Sequence, residues 1–185
     1  MPTSRKLLAL TAALSFSTLS VLSSSGTAVA EPDWTVPTGQ AVTIDHVLTD
    51  THITSHPYEG NTIADLIELF EDYDPHHLAG EKWIFRATRD SEAVLIQNSG
   101  GDFCLQPEPG ADVSAGTWIV QRPCSVGKKT QWWLLNGASP RDFTLRLYED
   151  DGLAITPANN ERYSRLRLGQ TDGPEGHLNQ HFRVR

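Results

Sequence analysis

The sequence predicts an all-β fold, and the first observations behind this prediction are short strand patterns and frequent turns. Stretches such as TWIVQ, DFTLRLY and RLRLG alternate or run apolar over a few residues, as half-buried strands do. Clusters rich in Gly, Pro, Asn and Asp separate them at 98–102, 107–110 and 150–152. Because Gly and Pro interrupt helices, a long helix could not persist through this region. The same blocks also recur along the chain.

The repeat is marked by three blocks that begin at Glu81, Gln131 and Gln180, in steps of 50 and 49 residues. They read EKW, QWW and QHF. Between them, CL at 104–105 and AI at 154–155 keep the same offset. A fixed period of this length indicates a repeated supersecondary unit. Two full copies of one four-strand unit are therefore visible.

The N-terminal 1–30 segment has the pattern of a secretory signal peptide. Arg5 and Lys6 precede an uncharged, largely apolar run that ends in Ala28-Val29-Ala30, a small-residue motif typical of a cleavage site. The alternative is a membrane anchor, which needs about 20 predominantly apolar residues, whereas Ser and Thr dilute this run. We expect cleavage after Ala30, so that the mature chain is a secreted, extracellular domain.

The chain contains two cysteines, Cys104 and Cys124, and both lie in the exported part. Outside the cytoplasm, oxidation of such a pair to a disulfide is the default. Neither the C-x-x-C spacing of redox and zinc sites nor a neighbouring His accompanies either cysteine. We therefore predict a disulfide here, with no metal or cofactor.

Charge is distributed unevenly and marks a boundary near residue 80. Residues 31–80 contain ten acidic side chains and no Lys or Arg, whereas residues 81–185 contain thirteen of each sign. Like charges repel, which argues against nucleic acid or an anionic membrane as the partner of the acidic segment. A basic protein partner for residues 31–80 stays open.

The run from Cys104 through Trp118 and Cys124 to the Gln131-x-Trp133 block resembles the ricin B-type lectin repeat. In that family two bonded cysteines precede a Q-x-W motif. The resemblance covers residues 81–185 and implies a β-trefoil, in which three four-strand units surround a pseudo-threefold axis. The second copy is degenerate, because Ala and Asp replace its cysteines and QHF replaces Q-x-W.

Residues 31–80 must supply or replace the first trefoil unit. Within them, the segment at 61–73 predicts a short amphipathic helix, because Ile63, Leu66, Ile67 and Phe70 fall at i, i+3, i+4 and i+7. Either the first unit is remodelled, or its strands come from elsewhere in the chain.

The resemblance also implies where a sugar would bind. The family's Asp, stacking ring and Asn correspond to Gln106, Arg122 and Thr130 in the first copy. In the second copy they correspond to Thr156, Gln170 and Asn179, and Asn179 alone keeps the family's residue. The carbohydrate-binding positions are thus Gln106, Arg122, Thr156, Asn179 and Gln180. Gln131, Trp133, Gln180 and Phe182 are expected to be structural, since in this motif the aromatic packs the core and the Gln braces a loop.

Two further tryptophans, Trp118 and Trp132, are candidate exposed anchors for a partner or glycan. Neighbouring side chains on a strand point to opposite faces, so an inward Trp133 predicts an outward Trp132. The alternative is partial cover beneath a loop.

Catalysis is not predicted. Five histidines lie early in the chain, but His52 and His56, although spaced i, i+4, precede Pro57 and are poorly placed for a helical metal site. The sequence contains none of the common nucleophile, zinc-protease, P-loop or dinucleotide motifs.

The function that the sequence predicts is a secreted, carbohydrate-binding, lectin-like module that binds a glycan or glycoconjugate and does not insert into membranes. The alternative is a delivery or docking subunit of a secreted complex. The order of signal, N-terminal extension and trefoil is similar to that of the lectin-like subunits of the cytolethal distending toxin.

Overall fold

The computed structural model describes residues 36–55, 67–70, 78–110, 112–159, 161, 164–171 and 179–185. These residues form thirteen strands, one short helical turn, α1 (Leu78–Glu81), and one 3-10 turn, η1 (Lys129–Gln131). The strands are β1 (Ala41–Val42), β2 (Ile44–His46), β3 (Thr51–Ser55), β4 (Ile67–Phe70), β5 (Trp83–Ala87), β6 (Ala93–Asn98), β7 (Phe103–Pro107), β8 (Ile119–Pro123), β9 (Trp132–Ser139), β10 (Asp142–Leu147), β11 (Asp150–Pro157), β12 (Leu166–Gln170) and β13 (Phe182–Val184).

Strand pairing divides the chain into three units of four strands, β2–β5, β6–β9 and β10–β13. In each unit the first strand pairs antiparallel with the second, and the second with the third. The fourth strand pairs with the first strand of the next unit, and β13 returns to β2. The first and fourth strands of the three units thereby form a ring, whereas among the described residues β4, β8 and β12 each pair with one neighbouring strand only. The all-β fold predicted from the strand patterns and the three-unit β-trefoil implied by the resemblance are therefore confirmed.

The first unit is built from the described residues between 41 and 87, which are 41–55, 67–70 and 78–87. In the second and third units the fourth strand also pairs with the first strand of its own unit. In the first unit β5 pairs with β1 instead, and only Thr43 separates β1 from β2. The two short strands together therefore take the place of one long strand.

The helix predicted over 61–73 does not form at 67–70. These four residues are strand β4, which pairs antiparallel with β3 from Ser55↔Ile67 to His52↔Phe70. The rest of the predicted helix, 61–66 and 71–73, lies outside the described residues. Short apolar runs fit both a helix and a buried strand, and the backbone groups of β3 offer β4 a ladder of hydrogen bonds. Tertiary pairing thus overrides the local pattern.

The core repeats with the same symmetry. Ile53, Leu105 and Ile155 lie at equivalent positions on the second strand of each unit, and all are fully buried. Trp83 and Trp133 lie at the start of the fourth strands of the first two units, as the first residue of β5 and the second of β9. They donate their indole N–H groups to the carbonyls of Ile53 at 2.8 Å and Leu105 at 3.0 Å. In the third unit Phe182 fills the equivalent place without a donor.

The predicted disulfide is confirmed. Cys104 on β7 and Cys124 just after β8 are bonded, with their Cα atoms 4.9 Å apart. The bridge ties the second hairpin of the middle unit to the loop that leads into η1. In the part of the chain that the structure describes, no helix has the length and apolar character needed to cross a bilayer.

Candidate functional site

The family's sugar position in the second unit is filled by the protein's own side chains. Gln106 is buried, and its Oε1 accepts hydrogen bonds from Lys128 Nζ at 2.8 Å and from Gln131 Nε2 at 3.0 Å. Its Nε2 donates to the carbonyl of Pro107 at 3.0 Å. A sugar hydroxyl could reach this acceptor only by displacing Lys128.

Gln131 braces the loop that carries the disulfide. Its Oε1 accepts from the backbone N–H of Ser125 at 2.8 Å, and its Nε2 also donates to the carbonyl of Pro123 at 3.0 Å. The side chain is fully buried and has no surface to offer a ligand. This geometry fits the structural role expected for the motif glutamine.

The ring position in the second unit holds Arg122, which lies opposite Cys104 in the β7–β8 ladder. The side chain is half-buried, and its Nη1 donates to the carbonyl of Gln121 at 2.9 Å. A guanidinium can stack on an aromatic ring but lacks the broad apolar face that a sugar's C–H surface contacts. At the family's Asn position, the buried Oγ1 of Thr130 has no hydrogen-bond partner among the described residues.

The third unit repeats this internal bonding with smaller groups. Thr156 Oγ1 accepts from Gln180 Nε2 at 2.8 Å and donates to the carbonyl of Ala154 at 3.0 Å. Gln180 Nε2 also donates to the carbonyl of Gln170 at 3.2 Å. Asn179 is half-buried, and its backbone carbonyl accepts from the ring of His46 at 3.2 Å.

The structural register moves the ring position of the third unit by one residue. Gly169, not Gln170, lies opposite Ala154, as Arg122 lies opposite Cys104. A Cβ on Gly169 would be 2.4 Å from Thr156 Oγ1, far inside van der Waals contact. The side chains of Thr156 and Gln180 thus occupy the space that an aromatic side chain at this position would need.

The first unit brings together residues that the sequence patterns did not connect. His52 lies at the place of Cys104, Thr54 at that of Gln106, and Glu81 at that of Gln131. Glu81 is 1% exposed, and its Oε1 is 3.6 Å from His52 Nε2. Phe70 lies opposite His52, which is the register position of the family's ring. The apolar spacing around Phe70 predicted a helix, so the sequence pattern did not assign Phe70 to this position.

Trp132 is not an exposed anchor, and this prediction is wrong. The side chain is 6% exposed, its indole donates to the carbonyl of Val126 at 3.2 Å, and its ring meets Tyr148 edge-on at 5.1 Å. It packs with Leu95 and Cys104 in a second apolar cluster. The alternation of β9 does turn it away from the main core, but the disulfide loop covers that outer face.

Trp118 is half-buried at the end of the loop that precedes β8. The guanidinium of Arg165 lies over its ring at 4.2 Å from the centroid, within the range of a cation–π contact. A backbone bridge to Arg167 fixes the position of Trp118. One face of the indole is thus already used within the protein.

An open groove of about 530 Å³ lies beside the disulfide, and sequence analysis did not find it. Arg86 Nε donates to Gln97 Oε1 at 2.7 Å, and Gln97 Nε2 donates to the carbonyl of Gly101 at 3.1 Å and to Asp102 Oδ1 at 3.3 Å. Apolar surface comes from Val126, which is 53% exposed. The groove is lined by Arg86, Ala87, Leu95, Gln97, Asp102, Cys124, Ser125 and Val126.

Known proteins resemble this chain in structure and not in sequence. No family model and no curated protein matches it. The Macrolepiota procera ricin B-like lectin, solved with lactose, has a TM-score of 0.63 at 15% identity, over 82% of this chain and 98% of that one. A chain of the Haemophilus ducreyi cytolethal distending toxin has a TM-score of 0.61 at 17% identity, over 90% of this chain and 93% of that one. The fold is a ricin B-type β-trefoil. At these identities the likeness shows the fold alone.

The trefoil frame explains why sequence motifs could not reveal the groove. Its lining residues come from β5, β6, the turn after β6 and the disulfide loop, and only the closed barrel brings these segments together. Among the described residues of the trefoil, no group of acidic, histidine or cysteine side chains is arranged to hold a metal ion. His56, His76 and His77 lie outside the described residues.

Proposed function

We propose that the mature trefoil is a secreted carbohydrate-binding module without catalytic activity. The groove beside the disulfide carries this proposal, because it combines a guanidinium, an amide and a carboxylate with the exposed apolar surface of Val126. Sugars present hydroxyl groups around an apolar C–H face, so a site for them needs hydrogen-bonding groups next to apolar surface. Charge-assisted hydrogen bonds are the polar contacts that compete best with water.

Neighbours with the same fold support a saccharide as the ligand class. The Macrolepiota procera lectin was solved with lactose, the C-terminal half of an earthworm R-type lectin with GalNAc, and a Polyporus squamosus lectin with a sialylated trisaccharide epitope. Their identities to this chain are 15%, 12% and 14%. These proteins suggest the kind of ligand, and the residues of this chain must determine which one.

The usual sugar positions are less suitable than the groove. Gln106 and Thr156 are buried and hydrogen-bonded within the protein. A ligand there would have to break one of these bonds before it formed its own, and an unpaired buried polar group costs about 1–3 kcal/mol. In the groove, Arg86 and Asp102 are exposed, and each has polar atoms besides the one bonded to Gln97, so a ligand can bind them without breaking that hydrogen bond.

The absence of catalysis is part of the proposal. Glycosidases generally place two carboxyl groups about 5–10 Å apart across the scissile bond. Among the described residues that line the groove, Asp102 is the one carboxylate. We expect the purified protein to leave bound oligosaccharides intact, and release of a reducing end above that of a heat-denatured sample would contradict this expectation.

A glycan array probed with residues 31–185 tests the proposal. We expect retention on a defined subset of glycans, and silence across all saccharides would remove the proposal. Two exposed valines provide a matched comparison: Val126 borders the groove at 53% exposure, and Val113 lies elsewhere at 39%. Val126→Asp should lower retention, whereas Val113→Asp should not.

A second candidate is a docking subunit of a secreted complex. The alignment with the Haemophilus ducreyi toxin chain takes in 90% of this chain, against 82% for the Macrolepiota lectin. In this function the acidic residues 31–80 would dock a basic protein partner. Co-purification with exported proteins encoded next to this one tests it, using the intact mature chain and a variant with Glu31→Gln, Asp33→Asn, Glu59→Gln and Asp65→Asn. Equal recovery of partners by both chains would count against docking through this segment.

A further inference from the structure

Arg86 carries a charge that its neighbours among the described residues orient but do not neutralise. Its Nε is held by the neutral amide of Gln97 at 2.7 Å, which fixes the plane of the guanidinium. Among the described residues neither Nη nitrogen has a hydrogen-bond partner, and no carboxylate forms an ion pair with it. The side chain is exposed at the wall of the groove. Its outer edge is therefore free to bind an anion.

The pseudo-threefold symmetry supplies an internal comparison. Arg185 lies three residues after Phe182, as Arg86 lies three residues after Trp83. On the strand paired with that of Arg185, Asp45 holds the position that Gln97 holds on the strand paired with that of Arg86. Arg185 Nε lies 2.9 Å from Asp45 Oδ2, and its Nη2 lies 2.8 Å from Asp50 Oδ1. At equivalent positions, Arg185 is thus neutralised by two carboxylates, whereas among the described residues Arg86 has the neutral amide of Gln97 as its partner.

We propose that the groove beside the disulfide binds a saccharide that bears a carboxylate, which pairs with the outer edge of the Arg86 guanidinium. The inference rests on the proposed function and names the ligand class. A planar guanidinium with two free nitrogens matches a carboxylate in a bidentate geometry.

The other lining groups favour an acidic sugar over an acidic peptide. Asp102 is a fixed negative charge on the same wall, so it disfavours a ligand with several acidic groups but accepts hydrogen bonds from hydroxyls. The exposed Ser125 adds a further hydroxyl partner, and Val126 provides an apolar surface for a pyranose face. A volume of about 530 Å³ lies in the range of small-molecule sites.

Paired sugars that differ in the carboxylate test the inference. The mature chain is titrated with methyl β-D-glucuronide and methyl β-D-glucoside, and with N-acetylneuraminic acid and its carboxyl-reduced form, and binding is followed by amide chemical shifts in NMR. We expect one of the acidic sugars to bind at least about tenfold more tightly than its neutral partner, as one charge-assisted contact predicts. The perturbed amides should include those of β5, β6 and 101–102.

Three variants assign the effect to Arg86. Arg86→Gln should abolish the preference for the acidic sugar. Gln97→Glu should do the same while keeping the arginine, because it recreates the neutralised pair of Asp45 and Arg185. Arg89→Gln, which removes an exposed charge from the same hairpin but outside the groove, should leave the preference unchanged.

The outcomes separate this inference from the proposed function. If neither acidic sugar binds more tightly than its partner, or if Arg86→Gln and Arg89→Gln behave alike, the carboxylate inference is overturned. A glycan array that still retains neutral saccharides would then leave the proposed function intact. An array silent for every saccharide would overturn both.

Discussion

The buried carboxylate of Glu81 lies 3.6 Å from Nε2 of His52, and neither carboxylate oxygen has a hydrogen-bond partner within the described part of the chain. The two equivalent positions hold Gln131 and Gln180, whose amides donate to Gln106 and Thr156. A carboxylate cannot donate, so the first unit lacks the brace that the other two possess.

Replacing Glu81 with Gln should therefore stabilise the protein. The new amide can donate to the hydroxyl of Thr54, as Gln180 donates to Thr156. The substitution also removes a buried carboxylate whose oxygens have no hydrogen-bond partner among the described residues, so we expect a gain of about 1–2 kcal/mol in the free energy of unfolding. Chemical denaturation at neutral pH measures it. Glu108→Gln is the control, because Glu108 is exposed. A lower stability for Glu81→Gln than for the control would show that the carboxylate is needed where it is.

Removing the disulfide should destabilise the middle unit. The bridge closes a loop across a sequence separation of 20 residues, and the chain-entropy model gives about 3 kcal/mol for a loop of this size. The double variant Cys104→Ala, Cys124→Ala should lose that amount in denaturant unfolding. The wild-type protein with reductant should lose a similar amount, while the variant should not respond to reductant. Equal stability of the oxidised and reduced wild-type protein would contradict this prediction.

The stability of the protein should fall in mild acid because of His46. Burial lowers the pKa of this histidine below 6.5, and the nearby His181 lowers it further, while the bond to the carbonyl of Asn179 opposes them. The unfolded chain then binds a proton more readily than the folded one. The contribution of neutral His46 is fully present above pH 6.5 and is lost as the pH drops through the lower folded pKa.

Unfolding free energies measured between about pH 7.5 and pH 5 check this effect. His46→Gln should show a shallower decline with falling pH than the wild-type protein. His181→Gln tests whether the second histidine contributes by lowering the pKa of His46. His181 itself contacts Asp142 at the surface. A decline of the same steepness in His46→Gln and in the wild-type protein would exclude His46 as the cause.

The sequence predicted those parts of the fold in which the repeat kept its chemical markers. Cys104, Cys124 and the Gln131 block identified the middle unit because each residue has a distinct structural task. In the first unit His52 and Glu81 replace the cysteine and the glutamine, so the motif disappears although the strand pairing persists. A closed barrel constrains pairing more strongly than it constrains individual residues.

The surface could not be predicted in the same way. Alternation along β9 placed Trp132 on the outer face, but its burial depends on the loop around Val126, which no strand periodicity describes. The groove likewise depends on Arg86, which lies on β5, and on Asp102, which lies in the turn after β6. Such features follow from how loops pack over a barrel, and a local pattern contains no information about that packing.

Gly169 should not tolerate a side chain, although it lies in a regular strand. An added Cβ would lie 2.4 Å from Thr156 Oγ1 and 3.1 Å from Gln180 Nε2, the two groups whose hydrogen bond braces the third unit. Relieving the overlap must move one of them, so Gly169→Ala should cost about 1–3 kcal/mol in the free energy of unfolding. Gly127→Ala is the control, since nothing lies within 4 Å of the Cβ it would add.

A second substitution separates steric overlap from a general loss of strand stability. Thr156→Ala removes the hydroxyl that the new Cβ would meet and costs its own hydrogen bonds to Gln180 and Ala154. In the double variant Gly169→Ala, Thr156→Ala the two losses should be less than additive, because the closest overlap of the added Cβ, at 2.4 Å from Thr156 Oγ1, is gone. Full additivity in a double-mutant cycle would mean that Gly169 is required for a reason other than its contact with Thr156.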